Sequence, residues 1–127
     1  MVDIQTLKPH KLSCHCQAVH IELQLDTTLD TPRRCDCSMC SRRGTIVASV
    51  LLDNLKIIQG EDSLSMYQFG TMTAKHYFCK ICGIYTHHQR RSNPHQFALN
   101  VFCLETLNQF DISKISLMDG VNHPKDR

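Results

Sequence analysis

From residue 19 the chain alternates without a break. Val19, Ile21, Leu23 and Leu25 fall on one side, and His20, Glu22 and Gln24 on the other. A period of two over seven residues predicts a half-buried antiparallel strand, ended by Asp26-Thr27-Thr28. Residues 45–52 are a continuous apolar run rich in β-branched side chains and read as a buried strand. Asp53-Asn54 and Gly60-Glu61-Asp62 mark turns on either side of a short strand at 55–58. Residues 66–69 and 74–78 read as a hairpin across Gly70-Thr71. Further strands are expected at 84–89, 97–102 and 112–118, with one helical turn at 105–109. No stretch holds a 3.6-residue period for three turns, so the expected class is all-β, built of small packed antiparallel sheets.

A chain of 127 residues makes one domain with a modest core. Residues 1–11 read as a loose polar lead-in, 12–123 as the domain and 124–127 as a tail. The first ten residues hold no apolar run of signal-peptide length, and no run approaches a membrane span. The expected setting is a reducing, cytoplasmic compartment, with no membrane partner. There, eight cysteines read as metal ligands or reactive thiols and not as a disulfide framework.

Their spacing sharpens this. Cys35-Asp36-Cys37-Ser38-Met39-Cys40 puts three thiols into six residues, flanked by Arg33, Arg34, Arg42 and Arg43. Packing does not explain sulfur in so polar a stretch. Zinc holds thiolates at about 2.3 Å in a tetrahedron, which a turning C-x-C-x-x-C loop can supply on three sides. Three protein ligands leave one position for water or substrate, the arrangement of a catalytic zinc. Cys79-Lys80-Ile81-Cys82-Gly83 has the form of a zinc knuckle and needs two more ligands, which Cys14 and Cys16 provide. The count then closes at two zinc ions: a structural one on Cys14, Cys16, Cys79 and Cys82, and an open one on Cys35, Cys37 and Cys40. Cys103 is left over and reads as packed. A closed second site, with a histidine or a partner residue as fourth ligand, stays open as an alternative.

The formal charge is +2. Seven thiolates around two divalent ions lower it by three, so a general nucleic-acid footprint is not expected, although arginines cluster at 33–34, 42–43 and 90–91. Arg42 and Arg43, beside the triple, are candidates to clamp a substrate carboxylate in a two-pronged fork. His76 alternates with Ala74 and Phe78 and reads as a satisfied structural histidine, with lining the site as the alternative. His87 and His88 carry no spacing signal.

Three segments together resemble the glutathione-dependent formaldehyde-activating enzyme family, which includes the centromere-protein-V-like proteins. They are Cys14-His15-Cys16, the run from Arg34 through Gly44, and His76-Tyr77-Phe78-Cys79-Lys80-Ile81-Cys82-Gly83. Leu99-Asn100-Val101 and the run from Met118 to Pro124 extend the likeness over nearly the whole chain. The resemblance implies a β-tent fold with one structural and one catalytic zinc, partitioned as the count above has it. Gln17 departs from it, standing where members usually carry Gly.

A three-thiolate zinc is a poor polariser of a carbonyl but can deprotonate a bound thiol near neutral pH. That thiolate adds to an aldehyde. The chemistry and the resemblance together imply a zinc-dependent carbon–sulfur lyase acting on glutathione and formaldehyde or another small aldehyde. The competing class is a non-catalytic zinc module whose arginines meet a protein or nucleic acid. Which aldehyde or thiol is used, and the oligomeric state, stay open.

Overall fold

The computed structural model describes residues 6–113, 115–119 and 121–122. The expected tail at 124–127 lies outside them, as do His123 and Pro124 of the closing segment and the first five residues of the lead-in. No helix among the described residues is long and apolar enough to cross a membrane.

The described residues form ten strands and one short α-helix: β1 (Lys8–Ser13), β2 (His20–Leu25), β3 (Asp30–Cys35), α1 (Ser38–Arg43), β4 (Val47–Leu51), β5 (Leu55–Gln59), β6 (Leu64–Tyr67), β7 (Lys75–Cys79), β8 (Tyr85–Gln89), β9 (Gln96–Asn100) and β10 (Ser116–Met118). They make a three-stranded sheet, β1-β2-β5, and a seven-stranded sheet, β10-β3-β4-β9-β8-β7-β6. Among the described strands, only the β10–β3 pair is parallel. The all-β expectation is met.

In β2 the alternation is realised residue for residue, with Ile21, Leu23 and Leu25 buried and His20, Glu22 and Gln24 partly exposed. Those buried side chains meet Leu12 from β1 and Ala48, Val50 and Leu99 from the large sheet, forming the core between the two sheets. Fully burying a side chain of this kind stabilises by about 1.5–3 kcal/mol, so the apolar stripe of β2 alone orders the small sheet against the large one.

Three local expectations change. Residues 8–11, read as loose lead-in, belong to β1 and pair with β2 from Lys8↔Leu25 to Ser13↔His20. Residues 30–35, read as a loop because of Thr31-Pro32, form β3; Thr31 sits at φ 45°, and the register with β4 shifts between Asp30 and Arg33. An irregular strand of this kind hides its period. The last strand is shorter than 112–118 and spans Ser116–Met118.

The opposite face of the large sheet is polar. Register sets Arg33 beside Val47, Ser49 beside Ala98, Ala98 beside His88, and His88 beside His76. Side chains alternate between faces along each strand, so these residues share the side away from Ala48, Val50 and Leu99. The sheet thus has an apolar face for the core and a face of arginine, histidine and serine for something else.

Candidate metal centres and the cleft they share

Two groups of cysteines come together. The sulfurs of Cys14, Cys16, Cys79 and Cys82 all lie within 4.8 Å of one another, and so do those of Cys35, Cys37 and Cys40. Both are the sets predicted from spacing.

In the first group, Cys14 follows the last residue of β1 and Cys79 ends β7. The Cys14–Cys16 and Cys16–Cys79 sulfur separations are 3.6 and 3.7 Å. A tetrahedral ion with bonds of about 2.3 Å sets its sulfurs about 3.8 Å apart, so the group fits zinc. The Val19 N–H donates to Cys14 Sγ at 3.3 Å, a charge-assisted bond once that sulfur is a thiolate. Gly83, at φ 78°, lets its N–H donate to the Cys79 carbonyl at 2.7 Å and closes the knuckle. Gln17 occupies the matching position after the first pair at φ 69°. A side chain there is strained, and Gln17 offsets this by donating from Nε2 to the Cys14 carbonyl at 3.0 Å and to Ser13 Oγ at 3.3 Å. The departure from glycine therefore keeps the turn and adds two hydrogen bonds.

The second group is built on the entry to α1. Cys35 ends β3, Cys37 is the N-cap, and Cys40 lies in the helix, its N–H donating to Cys37 Sγ at 3.3 Å. Hydrogen bonds from Cys35 and then Cys40 hold the Cys37 thiol well below the usual range. Hydrogen bonds with Cys35 and then Cys37 raise the Cys40 thiol. No fourth His, Cys, Asp or Glu among the described residues joins the group. Asp36, the nearest carboxylate in sequence, instead accepts from the Val121 N–H at 3.2 Å.

The three sulfurs open onto a cleft floored by the polar face of the sheet. Arg33, Met39, Val47, Phe69, His76, His88, Arg90 and Arg91 line it, and among the described residues no carboxylate does. Arg33 is anchored by bonds to the Thr31 carbonyl at 2.7 Å and Ser49 Oγ at 3.1 Å. Arg90 reaches the same Ser49 Oγ at 3.3 Å, so two guanidinium groups converge on one hydroxyl. Burial, and then the charge of Arg90, pull the Arg33 pKa down to about 10, and it stays cationic at neutral pH. His76 and His88 are 5% and 8% exposed. Burial, and then Arg43, lower His76 to about 4, and burial takes His88 well below its ordinary value. Both rings are neutral at pH 7.

The two arginines singled out from sequence stand beside this cleft and line a neighbouring groove. Arg42 is exposed and donates to the Ser38 carbonyl of its own helix at 2.9 Å. Arg43 lies with Cζ 3.6 Å above the centre of the Tyr85 ring and bonds His76. The cleft's own arginines, 33, 90 and 91, are in two of the three sequence clusters. Strand register, which sequence spacing does not reveal, brings them to the sulfurs. His76 is buried as expected and also lines the cleft, the alternative that its position left open. Cys103 is half-buried against the core, its sulfur 3.8 Å from the Tyr85 carbonyl.

A family model described as glutathione-dependent formaldehyde-activating enzyme matches residues 9–115. A solved crystal structure of a Rhodobacter sphaeroides protein is similar, with 50% sequence identity and a TM-score of 0.78, covering 85% of this chain and 99% of that one. The matched span contains all eight cysteines and every cleft residue named above.

Proposed function

Because the chain belongs to the glutathione-dependent formaldehyde-activating enzyme family, we propose that it is a zinc-dependent carbon–sulfur lyase. It joins glutathione and formaldehyde, or a related small aldehyde, into an S-hydroxymethyl adduct, or cleaves that adduct. The observation that carries this reading is the group of three cysteines with no fourth donor among the described residues, opening onto a cleft lined by three arginines and, among those residues, no carboxylate.

Cys35, Cys37 and Cys40 would hold the catalytic zinc, and Cys14, Cys16, Cys79 and Cys82 the structural one. Bound to three thiolates, zinc supplies acidification of a substrate thiol while leaving its sulfur nucleophilic. The chain's own residues do the rest. Arg33, Arg90 and Arg91 draw an anionic peptide thiol into the cleft and pair with its carboxylates. Arg42 and Arg43 border the adjoining groove, where a longer substrate extends. Phe69 and Met39 give the cleft apolar wall, which displaces water from a reacting carbonyl. Overall the thiol S–H and the aldehyde C=O become S–C and O–H. The β-tent architecture and a cytoplasmic, reducing setting belong to the same reading, since free thiols must persist for the site to work.

Cobalt substitution tests it. Adding glutathione to the cobalt form is expected to strengthen the sulfur-to-metal charge-transfer band and to release about one proton per open site near neutral pH. S-methylglutathione, which keeps both carboxylates but has no ionisable thiol, is expected to do neither. If glutathione is silent while other thiols perturb the metal, the substrate assignment is wrong. If no thiol or aldehyde perturbs it, the zinc-module reading takes over.

A further inference from the structure

The cleft floor contains a network that thiol binding alone does not use. Arg43 Nη2 lies 3.0 Å from His76 Nδ1. Its Nη1 is buried without a hydrogen-bond partner among the described residues, and its guanidinium rests on Tyr85. A guanidinium only donates. His76 Nδ1 is therefore the acceptor and carries no proton. A neutral imidazole has one N–H, so it is at Nε2. Stacking holds the ring: the Phe69 centroid is 5.7 Å away on a plane 21° off, and the His88 centroid is 4.8 Å away. With Nδ1 taken by Arg43, Nε2 is the nitrogen left for the cleft.

We propose that His76 is a catalytic residue of the cleft, donating from Nε2 to the aldehyde oxygen as the carbon–sulfur bond forms, and that Arg43 is the positioning residue that fixes this tautomer. The assignment rests on the carbon–sulfur reading above. Three thiolates leave a divalent ion little charge with which to polarise a carbonyl, so the developing oxyanion needs another donor. A neutral N–H serves it without quenching the nearby thiolate, as a charged imidazolium would. The sulfur electron pair makes the S–C bond, and the π pair of C=O moves to oxygen. Oxygen then takes a proton from water, balancing the thiol proton released earlier, and His76 keeps its own. Cleavage runs through the same contacts in reverse. This use also accounts for Arg43: a guanidinium with one nitrogen buried and unpaired is a poor stabilising element.

The test needs both a spectroscopic and a kinetic readout on the zinc-loaded protein. Nitrogen NMR of histidine-labelled wild type at pH 7 is expected to show His76 protonated at Nε2 and bare at Nδ1. Arg43→Met is expected to mix the two tautomers. His76→Phe keeps ring and stacking but has no donor; kcat for glutathione and formaldehyde is expected to fall about a hundredfold. KM should stay within about twofold and zinc content should not change. His76→Gln, which restores an N–H, is expected to recover part of the loss. A proton on Nδ1 in the wild type, or full kcat in His76→Phe, overturns the assignment. An Nε2–H tautomer in a wild type that turns nothing over defeats the carbon–sulfur reading instead, and the donor role with it.

Discussion

Replacing Cys79 by Ser tests whether the four-thiolate group is a staple. Cys79 is fully buried, and its sulfur stands 3.7 Å from that of Cys16, 63 residues earlier in the chain. A serine hydroxyl does not ionise at neutral pH and is a weak zinc ligand, so the link between the end of β1 and the end of β7 is lost. A cross-link closing a loop of that length restricts the unfolded chain by about 4 kcal/mol in the chain-entropy model. The new hydroxyl sits among apolar side chains, at a further cost of about 1–3 kcal/mol. Together they approach the whole stability of a typical domain, about 5–15 kcal/mol. At about 4 °C per kcal/mol, the melting temperature should fall by about 20 °C or more, or the protein should not stay soluble. Thermal unfolding in excess zinc, with metal analysis of the soluble fraction, measures this. A soluble Cys79→Ser protein that melts with the wild type refutes the staple.

Cys37→Ala should behave differently, because all three ligands of the open group lie between the end of β3 and α1; the variant is expected to fold, with about one zinc per chain in place of two by metal analysis. Unfolding as severe as that of the Cys79 variant would make the triple structural. Gly60→Ala should lower the melting temperature by about 8 °C or more, since at φ +85° a Cβ would come within 2.0 Å of the Ala18 carbonyl oxygen, in the turn that carries Cys16; an unchanged melting curve refutes that contact. His87, fully buried and stacked on Tyr77, has its pKa lowered to about 4 by burial. Its neutral form contributes stability that is complete above the unfolded value of about 6.5 and is lost as pH falls through 6.5 toward 4. His87→Gln should flatten that part of the stability–pH curve, read by denaturant titration in zinc, and an unchanged slope would rule His87 out as the group responsible.

Local patterns in the sequence proved sufficient for some features and blind to others, for identifiable reasons. The β2 alternation and both cysteine groups are visible because each depends on residues a few positions apart, or on a ligand count that must reach four or stop at three. β3 is concealed because Thr31-Pro32 carries loop chemistry, and the strand accommodates it through a positive φ and a register shift. The cleft floor is concealed for a different reason. Arg33, Ser49, His76 and His88 come from four different strands, with Arg90 just past the end of β8, and the order β3-β4-β9-β8-β7 brings them together. Arg42 and Arg43 attracted attention through nearness in sequence to Cys40. Helix geometry turns one outward and sends the other beneath the cleft, onto Tyr85.

On the proposed function, the same ligand type would serve two ends because the surroundings differ. Cys14 and Cys79 sit in the hydrophobic core and Cys14 accepts a backbone N–H, so an ion there would be shielded on one side, with Cys16 exposed on the other. Four thiolates on a divalent ion leave two negative charges, which only such donors and a closed shell accommodate. Around Cys35, Cys37 and Cys40 the balance runs the other way. Three thiolates leave one negative charge, facing Arg33, Arg90 and Arg91 with no carboxylate among the described lining residues. That cleft is electropositive even when loaded, and it lacks one anionic ligand. A thiol that brings both a sulfur and carboxylates satisfies both deficits at once, whereas a neutral aldehyde satisfies neither. The proposed function then predicts the order of binding: thiol first and aldehyde second, with added salt weakening the first step more than the second.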